Sequence, residues 1–253
     1  MSSAGEQRFI NENRYRSVLA RLSASPTLKA IFAEAYGDDY PVEADPFGFV
    51  SLSELRVMAD TLAGSAVSRL LDVGCGRGGP GLWIARELGA SLLGVDVVAE
   101  AVVAAYQHAA ALGMAERAEF RVASGTDTHL PAGAFDGAVS IDALWMIQDK
   151  AAAFRELARV LSSGSPVVFT TWEPPHLDYA VFLTSAGFTG VAKRPMPDAM
   201  NAQIAVYDAI LHCQPTLKAE LGEDAAGIII AEAIETPRML QTAPRIMVSA
   251  ARG

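Results

Sequence analysis

Residues 70–81, LLDVGCGRGGPG, carry a short apolar run straight through a cluster of glycines into a helix start. A turn that tight brings a strand's end and a helix's beginning face to face. Glycine is the residue that reaches the backbone conformations it needs without strain. Pro80 sits where a first helical residue belongs, and Gly89 closes the segment PGLWIAREL. Strand, glycine turn and helix, in that order, form the first unit of an open sheet with crossover helices.

The same alternation continues downstream. SLLGVD, AEFRVA, FDGAVSI and SPVVFTTW read as further buried strands, with VAEAVVAAYQHAAALG and DKAAAFRELARVLSSG as helices among them. LDYAVFLTSAG adds a helix; FTGVAKRPM and the terminal PRIMVSAARG add two strands. The expected fold class is therefore α/β, a doubly wound parallel sheet with helices on both faces. Ahead of the sheet, helical stretches are expected around 9–22 and 27–36, and Ser51 and Glu54 have capping-box spacing at the start of SLSELRVMADTLAG. Residues 198–243 read as helices broken near Pro215, Gly222 and Pro237.

The organisation expected is a helical lid at 1–50, a sheet core at 51–195 and 244–253, and a helical insertion at 196–243 covering an acceptor site. At 51% hydrophobic and 19% charged, the 253 residues can fill one large core. A net charge of −9 repels phosphate backbones, so nucleic acid is not an expected partner. The N-terminal MSSAGEQRFINENRYRS lacks a signal peptide's apolar stretch, and no apolar run is long enough for a bilayer, so no membrane partner is expected. Two lone cysteines, Cys75 and Cys213, fit a reducing, cytoplasmic setting.

The glycine cluster satisfies two fingerprints. Gly74, Gly76 and Gly79 give the spacing of a dinucleotide-binding turn; Asp72, Gly74, Gly76 and Gly78 give that of an S-adenosylmethionine-binding turn. Asp96, which ends the next strand, suits a ribose in either case. Asp72 discriminates. Beside a pyrophosphate, each like-charge pair at roughly 5 Å and an effective dielectric near 20 costs about 3 kcal/mol. A sulfonium and an ammonium are attracted instead. A nicotinamide-dependent oxidoreductase is the disfavoured alternative, and the chain offers no Tyr-x-x-x-Lys or similar hydride-site pair.

LLDVGCGRGGPGLWIA, GVDVV, HLPAGAFDGAVSIDALWMI and AAAFRELARVLSSGSPVVFTTWE resemble, in order and spacing, the motifs of class I S-adenosylmethionine-dependent methyltransferases, particularly the small-molecule enzymes of bacterial specialised metabolism such as antibiotic biosynthesis. The likeness covers about residues 50–195. It implies a Rossmann-like, mostly parallel seven-stranded sheet with an antiparallel last strand, plus helical lid segments. It implies S-adenosylmethionine as cofactor, S-adenosylhomocysteine as product, no metal, and a homodimer. It places Asp72, Gly74, Cys75, Gly76 and Gly78 around the methionine portion, Asp96 on the ribose and Val97 beside the adenine. Where the family often has Gly-Asp for the adenine amino group, this chain has Ala123-Ser124, leaving Ser124, Gly125 and Thr126 as the adenine-side candidates. Ser140 and Asp142 are expected beside the methionine portion.

Methyl transfer needs alignment and exclusion of water, and a base only where the acceptor must lose a proton. Met146 occupies a place where the family often has His. The candidates for a base are His176 and Glu173, in TTWEPPHLDYA after the fifth strand. Phe49, Trp145, Met146, Trp172, Tyr179 and Tyr207 are the candidate substrate contacts, suited to a hydrophobic or aromatic small-molecule acceptor at oxygen, nitrogen or carbon. A cofactor-binding scaffold or regulator without activity is the other alternative. No metal-ligand spacing occurs.

Overall fold

The computed structural model describes residues 25–46 and 48–253. The helix expected at 9–22, and half of the expected N-terminal lid, lie outside the described residues. Seven strands form one sheet: β1 (Arg69–Val73), β2 (Ser91–Asp96), β3 (Ala118–Val122), β4 (Gly137–Ile141), β5 (Pro166–Trp172), β6 (Phe188–Pro195) and β7 (Arg245–Arg252). Their order is β3-β2-β1-β4-β5-β7-β6. The first five run parallel, and β7 runs antiparallel between β5 and β6. This is the doubly wound, mostly parallel sheet with an antiparallel last strand that the sequence implies.

Strand periodicity sends neighbouring residues to opposite faces, and both faces are covered. Leu70, Val139 and Val168 pack under α2 (Leu52–Ala63), α3 (Gly79–Leu88) and α4 (Ala99–Ala111). Leu71, Ala138, Val167 and Phe169 pack under α5 (Lys150–Val160) and α6 (Tyr179–Ser185). The capping box at the start of α2 is formed: Glu54 N donates to Ser51 Oγ at 3.1 Å and Ser51 N to Glu54 Oε2 at 2.8 Å.

A third apolar cluster joins α1 (Pro26–Tyr36) to α7 (Pro197–His212), α8 (Gln214–Leu221) and α9 (Glu223–Leu240) through Leu28, Ile31, Val206, Ile210, Leu217 and Ile229. The described part of the N-terminal segment thus packs on the 196–243 segment. Glu220 of α8 ties the two, accepting from Ser25 Oγ at 2.5 Å and Thr27 N at 3.3 Å. One expected break is absent: α9 runs through Pro237 to Leu240. A proline that close to a helix's end removes one hydrogen bond from a turn with few bonds left to lose.

Where β7 begins, Arg245 is fully buried and binds two carboxylates from distant elements. Its Nε donates to Glu54 Oε1 at 3.0 Å and its Nη1 to Asp142 Oδ1 at 2.6 Å. Its guanidinium lies over the Trp172 ring, 4.9 Å from the centroid. Helix α2 and the ends of β4, β5 and β7 are thereby fixed to one cation.

Arg245→Met should lower stability by about 3–5 kcal/mol, because it strands two buried carboxylates. Burial already pushes the Glu54 carboxyl upward while Arg245 holds it down. A raised carboxyl pKa costs stability as pH rises above its unfolded value. The deficit, read from urea midpoints, should therefore grow from pH 5 to pH 8.

Candidate active site

The glycine turn folds onto the end of β2. Gly74 N and Cys75 N both donate to Val95 O, at 2.8 and 3.0 Å. Gly74 has φ +74°, and a Cβ there would lie 2.3 Å from the Ala143 Cβ, so the turn is pressed against the chain leaving β4. Gly76 has φ +53° with open space beside it. Its N–H donates to Asp96 Oδ2 at 2.8 Å, and Val98 N donates to Asp96 Oδ1 at 2.9 Å. The half-buried Asp96 carboxylate is thereby held at the rim of the turn, with exposed Val97 next to it.

Asp72 departs from its expected orientation. Rather than facing an open crevice, its carboxyl is enclosed under the start of α3, where a Cβ on Gly81 would come within 2.2 Å of Oδ2. Its Oδ1 has no hydrogen-bond partner among the described residues. Burial, and then the Asp96 charge, push its carboxyl up to about 8. A buried acid without a counter-charge is a place where a bound cation would be stabilised.

Other candidates carry the scaffold itself. Ser140 Oγ donates to Val73 O at 2.7 Å, tying β4 to β1, so its hydroxyl is occupied. Asp142 sits at φ +53° with its carboxylate engaged: beyond Arg245 it accepts from Thr170 Oγ1 at 2.7 Å and Phe49 N at 3.0 Å. Its expected ligand contact would have to come from the backbone. Cys75 is buried under the turn, its sulfur against Gly94. Ser124, Gly125 and Thr126 form a half-buried turn closed by the Ser124–Thr126 hydroxyl pair at 2.8 Å.

Four of the predicted acceptor residues converge. Phe49 stands 5.3 Å from Tyr207 and 6.2 Å from Trp172, and Trp172 stands 5.7 Å from Trp145. Trp145 is fixed by its Nε1–H donating to Asp142 O at 2.8 Å. Lys150 holds the same turn, donating to the carbonyls of Trp145 and Ile147 at 3.1 and 2.9 Å. Met146 on that turn is 40% exposed. Ala143, which precedes the Trp145 turn, touches the glycine turn, so the ring cluster and the turn lie at the same carboxyl end of the sheet.

Tyr179 does not join them. It is fully buried against Phe154 and Phe169, and its hydroxyl accepts from Thr171, whose side chain points to the opposite sheet face from Trp172. Glu173 is also committed elsewhere: its Oε1 accepts from Lys193 Nζ at 2.7 Å and Tyr179 N at 3.0 Å, fastening the start of α6. With its carboxylate engaged by Lys193 and the α6 backbone, Glu173 is read as a structural residue. His176 is exposed on the same loop.

Several residues at the site were missed by the sequence reading. Arg245 precedes an apolar run and looks like a strand flank. Glu54 reads as a cap alone. Gln203 and Glu232, which extend the ring cluster, are lone polar residues in helices; spacing offered only Gln203 and Tyr207 four apart, on one helix face.

A family model described as "Methyltransferase domain" matches residues 71–169. Phosphoethanolamine N-methyltransferase 3 of Arabidopsis thaliana is 29% identical over 191 residues, 73% of this chain and 35% of that protein. Residues 71–169 thus carry a likeness to S-adenosylmethionine-dependent methyltransferase domains. Methyltransferase GfsG of Streptomyces halstedii is 31% identical over 146 residues, 56% of this chain and 52% of GfsG. The chain thus spans between about a third and a half of the curated relatives' lengths. Among solved structures, a putative sarcosine dimethylglycine methyltransferase from Galdieria sulphuraria has a TM-score of 0.71 at 16% identity, covering 92% of this chain and 98% of that one. The [4+2]-cyclase SpnF has a TM-score of 0.68 at 22% identity, covering 79% and 82%. At these identities the likeness is one of fold.

The residues present fit the family's cofactor. Asp72 offers a buried carboxyl whose ionised form a cation would stabilise, Gly76 an open backbone, and Asp96 with Val97 a polar and an apolar rim. Among the described residues no three metal-ligating side chains gather, and no helix is long and apolar enough to cross a membrane.

S-adenosylmethionine binding, followed by calorimetry, should weaken at least tenfold in Asp96→Ala. Near pH 7 binding should also release a proton, because a cation beside Asp72 lowers a carboxyl held up to about 8. Repeating the titration in buffers of different ionisation enthalpy reads that proton, and Asp72→Asn should abolish it.

Proposed function

We propose that this methyltransferase moves the methyl group of S-adenosylmethionine to a small hydrophobic or aromatic acceptor. The observation that carries the reading is the ring cluster of Phe49, Trp145, Trp172 and Tyr207 bordering the glycine turn. When bound, the cofactor supplies a methyl carbon on a sulfonium, open to linear displacement. The chain's own work is binding, aiming and drying. Asp96 and the glycine turn would hold the ribose side, and the Asp72 carboxylate would face the positive charge. The aromatic walls orient the acceptor, and the helical cover of α1 and α7–α9 excludes water from the crevice.

The setting in specialised metabolism implied by the sequence resemblance belongs to the same proposal, and similarity to GfsG of Streptomyces halstedii supports it. A second reading, a cofactor-loaded site that transfers no methyl, is favoured by one observation: the cyclase SpnF has this fold. Incubation with methyl-labelled S-adenosylmethionine and pooled bacterial metabolite extracts separates the two. The first expects label in a low-mass, organic-extractable product. Cofactor binding without label transfer to any fraction would leave the second.

His176 is exposed and projects from a loop, so it is not placed to act as a strong base. With the transferred label as assay, His176→Ala should lower kcat/KM by less than about tenfold, against the roughly 10²–10⁴ that a general base supplies.

A further inference from the structure

One carboxylate extends the ring cluster and belongs to neither the fold's charge network nor the cofactor end. Trp172 Nε1 donates to Gln203 Oε1 at 3.0 Å, Gln203 Nε2 donates to the Tyr207 hydroxyl at 3.0 Å, and that hydroxyl donates to Glu232 Oε1 at 2.8 Å. Gln203 and Tyr207 are 1% and 2% exposed, so this chain of hydrogen bonds is a built feature rather than a surface accident. Glu232 differs from both: it keeps partial exposure, and Oε2 takes no hydrogen bond from a described residue. One of its oxygens is thus fixed by Tyr207, and the other has no hydrogen-bond partner among the described residues. Burial raises its carboxyl above the usual range.

The cations that touch the ring cluster are already bound to protein groups. Arg245 serves Glu54 and Asp142, and Lys150 serves two backbone carbonyls. An acceptor carrying a phosphate or carboxylate would meet a like charge at Glu232 and find these cations engaged. A positive or N–H-bearing group would find ring faces and a free carboxylate oxygen.

We propose that Glu232, fixed by Tyr207, is the acceptor-recognition residue of this methyltransferase and that its acceptor is an amine without a phosphate or carboxylate beside the nitrogen. The assignment rests on the methyl-transfer reading above. The amine nitrogen docks on Oε2 while the rings take its carbon skeleton. Glu232 takes the proton of an arriving ammonium, which frees the nitrogen lone pair. The lone pair forms the new N–C bond as the C–S bond breaks and sulfur keeps its electron pair.

Four probes on one skeleton test this by calorimetry on the S-adenosylhomocysteine-loaded protein: 2-phenylethylamine, 2-phenylethanol, 3-phenylpropanoate and 2-phenylethyl phosphate. The amine should bind at least tenfold tighter than the other three. Glu232→Gln, which keeps an acceptor for Tyr207, should level that preference. Tyr207→Phe, which keeps the ring and frees the carboxylate to move, should reduce it. S-adenosylhomocysteine affinity should stay within twofold in both variants. The proposal is overturned if the phosphate or carboxylate probe matches the amine, if no amine binding is seen, or if Glu232→Gln retains the preference. Absence of S-adenosylhomocysteine binding by the wild-type protein would instead remove the methyl-transfer reading itself.

Discussion

One buried guanidinium organises the reactive end of the sheet. Arg245 brings together α2, the end of β4 and the ring on the end of β5, elements far apart in sequence. A lone cation at that depth would be untenable, and so would either carboxylate without it. The three groups are stable only as a set, which makes their geometry close to all-or-none. Asp142 shows the consequence: it holds a left-handed backbone conformation that a non-glycine residue adopts only under constraint, and its engaged carboxylate is that constraint. The turn carrying Trp145 starts from this anchored residue, and the Phe49 amide is bonded to it. The position of these rings follows from an ion network built wholly of the chain's own groups.

The cofactor end is built on the opposite electrostatic principle. Among the described residues Asp72 Oδ1 is buried without a hydrogen-bond partner, and the charge acting on its carboxyl is that of another acid, Asp96. A fold that tolerates such a group keeps part of its stability in reserve for a positively charged occupant. The acid that separates two glycine-loop chemistries on sign of charge is the same one that burial holds above the usual carboxyl range.

The sheet was legible because its signals are local and repeated: apolar runs, glycine turns, and helices with caps at both ends. The capping box and the Gly76–Asp96 relation depend on spacing alone, which a sequence displays. The acceptor end was legible only in part. Phe49, Trp145, Trp172 and Tyr207 were recognisable as aromatics, two at or just past strand ends and two in the expected lid segments, but so was Tyr179, which opens α6 and packs on the other face of the sheet. Glu173 looked like a base because nothing in its neighbourhood reveals Lys193, twenty residues on. Arg245, Gln203 and Glu232 acquire their roles from contacts spanning long stretches of chain, and no periodicity records those.

The helices α7–α9 leave the sheet after β6 and rejoin it at β7, and the two junctions nearly touch: Met196 N donates to Arg245 O at 3.0 Å. The segment is a closed excursion with adjacent ends. Closing such an excursion costs little more when it is longer, since the entropy grows only with the logarithm of length. The excursion can therefore be lengthened, shortened or exchanged as a cassette while the sheet and the glycine turn stay as they are. A lineage that needs a new substrate can change this one excursion, provided the replacement leaves the arginine at its far end in place.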